Sequence, residues 1–307
     1  MNAAVRSVVR AADDHGIEVF GVNQGYAGLI AGDLQQLDAR GVSGILHAGG
    51  TMLGTARSKE FRTPEGRAEA ARRLELHGIE GLVVIGGDGS LRGADALSSE
   101  HPIRAVGIPG TIDNDLIGCD FTLGFDTAVN TALESIDRIR DTAASHGRLF
   151  FIEVMGRNSG WLALYCGLAG GASEVIVPER ESSITQTRER IQRAFKIGKR
   201  FCLVVVAEGG HEGDVFHLAD AVAQGHDWDY RVTTLGHVQR GGAPRMRDRV
   251  LGSLLGDAAV GALMDDDDRV MVGQRRGETI RTPLQEAWSG VDKTPEDLLG
   301  LMDRLSR

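Results

Sequence analysis

The sequence reads as an α/β protein built on two largely parallel sheets, and three observations carry that reading. Short apolar, β-branched runs at 82–85, 104–108, 149–154 and 201–207 have the length of buried strands. Segments with helical periodicity separate them, which is the βαβ alternation of a parallel sheet. The 42 glycines among 307 residues are about double the average usage of roughly 7%. They fall at the ends of the apolar runs, where turns and close backbone approaches are needed.

Taken in order, Val5, Val8 and Val9 give 2–14 the face of a helix that ends before Gly16. A strand candidate at 17–21 leads into a loop, Gly25-Tyr26-Ala27-Gly28. A second glycine-rich region, 49–57, ends on Arg57. Thr63 as N-cap, Pro64 at the first helical position and Gly78 as a stop mark the next helix. The strand 82–85 runs into Gly86-Gly87-Asp88-Gly89-Ser90 and a short helix from about Leu91. The strand 104–108 runs into Pro109-Gly110-Thr111-Ile112-Asp113-Asn114-Asp115.

Beyond Gly124 the alternation repeats. Val129, Leu133, Ile136 and Ile139 place one apolar stripe on a long helix. The strand 149–154 precedes Met155-Gly156-Arg157 and a helix at 161–168. A strand at 174–177, a helix at 184–197 and a strand at 201–207 lead to Glu208-Gly209-Gly210. Residues 231–235 precede Gly236-His237-Val238-Gln239-Arg240-Gly241-Gly242, and a long helix spans about 246–263. Asp265–Asp268 reads as a solvated turn without a function.

The chain is long enough for one large α/β domain or two ordinary ones. A net charge of −9 argues against nucleic acid or an anionic membrane as the main partner. No apolar run approaches the ~20 residues that span a bilayer, and the chain begins on an amphipathic stretch without a signal-type apolar region. Cys119, Cys166 and Cys202 are widely spaced in apolar contexts and read as reduced core thiols, not as a zinc site. The expectation is a cytoplasmic protein.

Two loops carry the chemistry. Gly86–Ser90 lies between a strand and a helix, where backbone N–H groups and the helix dipole bind phosphate. Asp88 there is suited to a divalent cation bridging phosphate oxygens. Read alone, the loop also fits an ordinary strand–helix turn, and it is neither a Walker A loop nor a dinucleotide fingerprint. In the heptapeptide, Thr111, Asp113 and Asp115 crowd together where a parallel sheet places its ligands. Such a carboxylate pair suits a metal-assisted reaction in which one takes a proton from a hydroxyl; an Asx-rich surface turn is the alternative. Arg148, Arg157, Arg231, His237 and Arg240 supply cations at strand ends or in glycine-flanked loops, and Arg suits phosphate through its bidentate fork. Glu208, ending a strand, is placed to accept hydrogen bonds from sugar hydroxyls.

These motifs, together with Gly124-Phe125-Asp126-Thr127-Ala128, occur in an order and spacing that closely resembles the bacterial ATP-dependent 6-phosphofructokinases. The resemblance covers nearly the whole chain and weakens after about residue 270. It implies two three-layer α/β domains around an active-site cleft, commonly in a homotetramer. Residues 1–124 with about 244–289 would bind ATP and Mg²⁺; 125–243 with about 290–307 would bind fructose 6-phosphate. By position, Asp113 matches the general base toward the sugar 1-hydroxyl, with Thr111 and Ile112 beside it, and Asp88 matches the Mg²⁺ residue. Arg57, Ser58, Gly87, Gly89 and Ser90 match ATP contacts. Arg57 and Arg157 match cations that stabilise the transferring phosphoryl group. Met155, Gly156, Glu208, His237, Val238, Gln239 and Arg240 match sugar-phosphate contacts, and Arg148 and Arg231 match arginines that reach a neighbouring subunit's sugar phosphate.

The resemblance has departures. The family's first strand and its Gly-Gly-Asp-x-Pro-Gly loop have no counterpart before Met1. That leaves a sheet position empty or an exposed edge, puts full activity in question, and suggests a native start about fifteen codons upstream. Of an effector pocket, Arg6, Arg10, Arg140, Gly171 and Lys199 match, while Gly44, Ser173 and Phe201 do not. Three functions follow in rank: ATP-dependent 6-phosphofructokinase; pyrophosphate-dependent transfer or a related sugar kinase; and a catalytically impaired paralogue that binds metabolites or joins an intact enzyme. Glycine at 89 and 110, where pyrophosphate users typically carry Asp and Lys, favours ATP.

Overall fold

Helix α1, Asn2–Asp14, buries Ala4, Val5, Val9 and Ala12 on one stripe. This computed structural model describes residues 1–181, 183–210, 214–289 and 294–306. Strands β1 (Val19–Val22) and β2 (Leu34–Leu37) pair antiparallel as a ribbon, with α2 (Gly25–Ala31) connecting them. Helix α3, Pro64–Leu76, begins as its sequence dictates, because Thr63 Oγ1 accepts from Gly66 N at 3.1 Å. Such a cap is worth ~1 kcal/mol. Strand β3 (Gly81–Gly86), helix α4 (Asp88–Glu100) and strand β4 (Arg104–Pro109) form a βαβ unit with β3 and β4 parallel.

Helix α5 (Phe125–His146) opens a second series: β5 (Leu149–Val154), α6 (Trp161–Ala169), β6 (Glu174–Ile176), α7 (Ile184–Lys196), β7 (Cys202–Ala207), α8 (Val215–Ala223) and β8 (Tyr230–Thr234). After these come α9 (Met246–Met264), β9 (Val270–Arg275), β10 (Glu278–Pro283), α10 (Leu284–Ser289) and α11 (Glu296–Leu305). One four-stranded sheet has the order β10-β9-β4-β3, the other β6-β7-β5-β8. The second is parallel throughout, and the first is parallel except for β10.

The chain divides into two compact units. The first holds Met1–Thr111, Leu116–Gly124 and Gly242–Val291; the second holds Ile112–Asp115, Phe125–Gly241 and Asp292–Arg307. In the first unit α9 and α1 cover one face of the sheet, with Val106, Ile108, Leu251 and Leu255 in the core between. Strand β3 is one edge of that sheet, and an apolar cavity of about 650 Å³ runs beside it, lined by Val5, Val9, Val19, Phe20, Leu82 and Val83. In the second unit Phe151, Val204 and Val206 of the sheet pack against Ile191, Leu218 and Val222 of α7 and α8. Full burial of an aliphatic or aromatic side chain such as these is worth ~1.5–3 kcal/mol. All three cysteines are buried and free, and burial pushes the Cys166 thiol up to about 12. Among the described residues no helix is long and apolar enough to cross a membrane.

Three expectations change. Residues 25–28 form the start of α2, not a loop. Two glycines lower the helical propensity there, but Leu29 is buried and Tyr26 stacks on Phe61 at 3.8 Å, so packing prevails. Gly28 is required rather than disruptive, since a Cβ would lie 1.7 Å from the Asn23 carbonyl oxygen. Helix α4 starts at Asp88 and runs 13 residues, longer than the short helix expected from about Leu91, because Leu91, Ala94 and Leu97 give it a fully buried stripe. The Asp265–Asp268 turn is structural. Asp265 and Asp267 pair with Arg281 at 2.7 and 2.6 Å, Asp266 pairs with Arg104, and Asp268 accepts from Ser98 Oγ and Ala105 N.

Candidate functional site

In the first unit the candidate residues gather at the carboxyl ends of β3 and β4. Gly87 caps α4, so the first-turn amides of α4 open at the end of β3, and Asp88 lies in that turn. Gly110 N donates to Gly86 O at 2.9 Å, which keeps the two loops side by side. A Cβ on Gly87 would lie 3.3 Å from that of Thr111, so the Thr111 side chain stands against the glycine loop. Thr122 Oγ1 donates to Thr111 O at 2.6 Å and fixes the backbone there. A Cβ on Gly89 would meet nothing within 4 Å. The loop is therefore open at the point where a phosphate chain would approach.

Asp88 Oδ1 accepts from Arg92 Nε at 2.5 Å, and the guanidinium of Arg92 lies 4.4 Å from the Trp288 ring. Its side chain is 41% exposed, and no cluster of three or more metal-ligating side chains occurs among the described residues. That donor set fits Mg²⁺, which takes one or two carboxylates and completes its shell with phosphate oxygens and water. Tyr26, on α2, donates its hydroxyl to Ser90 O at 2.6 Å and braces α4's first turn. Arg57 is exposed on the segment ahead of α3, and Ser58 Oγ accepts from Phe61 N at 3.1 Å.

The second unit receives Ile112–Asp115. Asp113 is 8% exposed, and its backbone oxygen accepts from Ser159 Oγ at 2.8 Å. Asn114 beside it takes a left-handed φ of 52°. Arg157 Nε stands 3.9 Å from Asp113 Oδ2, with the Arg157 side chain 62% exposed. Gly156 has a φ of 143°, and a Cβ on it would sit 2.4 Å from Ser159 O. Only glycine lets Met155-Gly156-Arg157 fold back over Ser159, so this glycine places Ser159 and Arg157 against Asp113. Ser159 escaped the sequence reading because a lone serine among polar neighbours carries no signal.

Other predicted residues lie at the same end of the second sheet. Met155 follows β5 and is buried, Glu208 follows β7 and is exposed, and Gly236–Arg240 forms a short 3₁₀ turn after β8. His237, Val238 and Arg240 are exposed on that turn. Gln239 faces inward at 1% exposed, where Oε1 accepts from Met155 N at 2.8 Å. It braces the β5 loop and leaves solvent-facing contacts to its neighbours.

Arg148 and Arg231 are elsewhere. Arg148 precedes β5 and Arg231 is the second residue of β8, so both stand at the opposite, amino end of the same strands. At ~3.3 Å per residue, Arg148 and Met155 are roughly 20 Å apart. Of the effector candidates, the second unit brings together Arg140, whose guanidinium lies 5.9 Å from the Phe201 ring, and Gly171, while Lys199 Nζ donates to Ser306 O at 2.8 Å. Arg6 and Arg10 lie on α1 of the first unit.

Comparison with known proteins places this arrangement in context. A family model described as Phosphofructokinase matches residues 1–263. The chain is 55% identical over 287 residues to ATP-dependent 6-phosphofructokinase 1 of Thermus thermophilus, covering 94% of this chain and 89% of that protein. It superposes on the solved phosphofructokinase of Saccharomyces cerevisiae with a TM-score of 0.89 at 39% identity, covering 94% of this chain and 43% of the yeast chain. It also superposes on a pyrophosphate-dependent phosphofructokinase of Marinobacter aquaeolei with a TM-score of 0.83 at 25% identity, covering 96% of this chain and 82% of that one.

Proposed function

Since the chain belongs to the phosphofructokinase family, we propose that it transfers the γ-phosphoryl group of ATP to the 1-hydroxyl of fructose 6-phosphate. The observation that carries the reading is Asp113, nearly buried, fixed through its backbone by Ser159 and faced by Arg157 at 3.9 Å. As the 1-hydroxyl attacks, its proton passes to the Asp113 carboxylate. The bond from sugar oxygen to the γ-phosphorus forms, the bond to the bridging oxygen breaks, and ADP leaves. Arg157 and Arg57 are exposed, and their guanidinium groups would stabilise the charge on the transferring group.

The first unit takes the nucleotide, with Gly87, Gly89 and Ser90 offering backbone donors at the start of α4. Asp88, on sharing or releasing Arg92, would hold Mg²⁺, which would supply neutralising positive charge for the phosphates. The second unit takes the sugar phosphate through Met155, Gly156, Glu208, His237 and Arg240. Arg148 and Arg231, at the far end of the strands, serve the site of another copy in a homotetramer. These partners are metabolites of a cytoplasmic glycolytic step.

A coupled assay for fructose 1,6-bisphosphate, run with Mg²⁺ and either ATP or pyrophosphate, tests the reading. Product with ATP and little with pyrophosphate is expected. Equal or faster turnover with pyrophosphate overturns the donor assignment. No turnover with either donor leaves a metabolite-binding subunit as the better description.

A further inference from the structure

Two clusters in the second unit join a pair of arginines through a shared carboxylate, and they differ in charge. Arg180 and Arg190 both reach Asp303 at 2.9 Å, and Arg190 also pairs with the buried Glu174 at 2.7 Å. Two cations and two anions cancel, and the group ties α11 to the rest of the unit. At the amino end of the strands, Arg148 Nε donates to Asp229 Oδ2 at 2.6 Å, and Arg231 Nη1 donates to Asp229 Oδ1 at 2.5 Å. Here two cations share one anion, and a net positive charge is left at the surface.

The backbone builds this trio. Leu149 and Tyr230 are paired across parallel β5 and β8, and Leu149 N donates to Asp229 O at 3.1 Å. Arg148 and Asp229 therefore enter adjacent strands side by side. Asp229 and Arg231 are two residues apart in extended chain, so their side chains leave on the same face. The Arg148 hydrogen bond holds the Asp229 carboxyl below the usual carboxylate range, so it stays ionised at neutral pH. Only Nε of Arg148 is engaged by a described side chain, and its terminal nitrogens are left for an anion. Arg231 Nη1 is further pinned by donating to Tyr230 O at 2.7 Å.

We propose that Asp229 is a positioning residue that holds Arg148 and Arg231 as one preformed fork for the phosphate monoester bound by another copy of the chain. The proposal rests on the reading of those arginines given above. Two opposing effects decide its sign. A carboxylate lowers the local positive potential and so weakens anion binding. It also removes rotamer freedom from two long side chains before the ligand arrives. The trio is partly exposed, with side chains 27%, 50% and 50% accessible for Arg148, Asp229 and Arg231, so the Coulomb loss is screened. Immobilising two such side chains costs the ligand about tenfold in affinity or more. Ordering outweighs the lost potential.

Asp229→Asn keeps the shape and removes the charge. In the assembled enzyme its KM for fructose 6-phosphate should rise about tenfold while kcat falls less than about threefold, the split expected of lost binding order. Arg148→Ala, measured alongside, should raise the same KM further. Asp229→Asn should raise that KM by a smaller factor in the R148A background than in the parent enzyme, because one of the two arginines that Asp229 orders is already gone. A KM in D229N that is unchanged or lower, with R148A strongly impaired, overturns the positioning role and leaves the arginine assignment standing. Full additivity in the double variant overturns it too. If R148A itself keeps a normal KM, the arginine assignment fails and the proposal falls with it.

Discussion

Asp113 is placed by a small set of neighbours on the β5 loop. Ser159 fixes its backbone, Gly156 permits Ser159 to be there, and Arg157 offers charge without closing on the carboxylate. Asp113→Asn should leave fructose 6-phosphate binding nearly intact and lower kcat by ~10²–10⁴, the usual yield of a general base. Equilibrium binding and steady-state kinetics on the same preparation check it, and a near-normal kcat removes Asp113 from the role. The motif was legible in the sequence, because two carboxylates and a hydroxyl in five residues stand out. Its supports were not. Ser159 and Gln239 act through contacts 46 and 84 residues away along the chain, which only the fold brings within hydrogen-bond reach.

At the scale of elements, the proposed preference for ATP rests on the strand–loop–helix around Gly86–Ser90. The first turn of α4 presents amides, and the space beside Gly89 is open. An acidic side chain there would fill the approach of a nucleotide's α-phosphate and repel it. Gly89→Asp should therefore lower kcat/KM for ATP at least tenfold, one 1.4 kcal/mol step of transition-state stabilisation, with a smaller effect on fructose 6-phosphate binding. Initial rates at varied ATP check it, and an unchanged ATP dependence would place the nucleotide elsewhere. The strands and long helices were legible because burial enforces their patterns. β1 was expected at 17–21, but α2, β2 and the β9–β10 pair were not, since 25–37 is rich in glycine and polar residues and 278–283 carries Glu278 and Arg281 on an edge strand. The acidic turn at 265–268 misled for a related reason. A run of like charge reads as solvated until the fold supplies Arg104 and Arg281.

At the scale of the whole molecule, the sheet of the second unit separates two sets of cations. Arg157, His237 and Arg240 follow the carboxyl ends of the strands, whereas Arg148 and Arg231 stand at the amino ends, a strand length of roughly 20 Å away. No side chain spans that gap, so one copy cannot bring both sets to a single sugar phosphate. A symmetric assembly that set the amino end of one copy against the carboxyl end of another would do so. The consequence is measurable by complementation. Arg148→Ala lacks the distant arginine but keeps its own base, and Asp113→Ala lacks the base but keeps its arginine. Each homo-oligomer should be nearly inactive. After dissociation and reassembly of a mixture, sites pairing an intact Asp113 with an intact Arg148 reappear. For random two-subunit pairing about a quarter of the sites should be restored, the product of two even odds under closed symmetry. Mass analysis of differently tagged subunits establishes that mixing has occurred. Activity that stays at the level of the separate variants despite proven mixing would mean that Arg148 serves no neighbour's site.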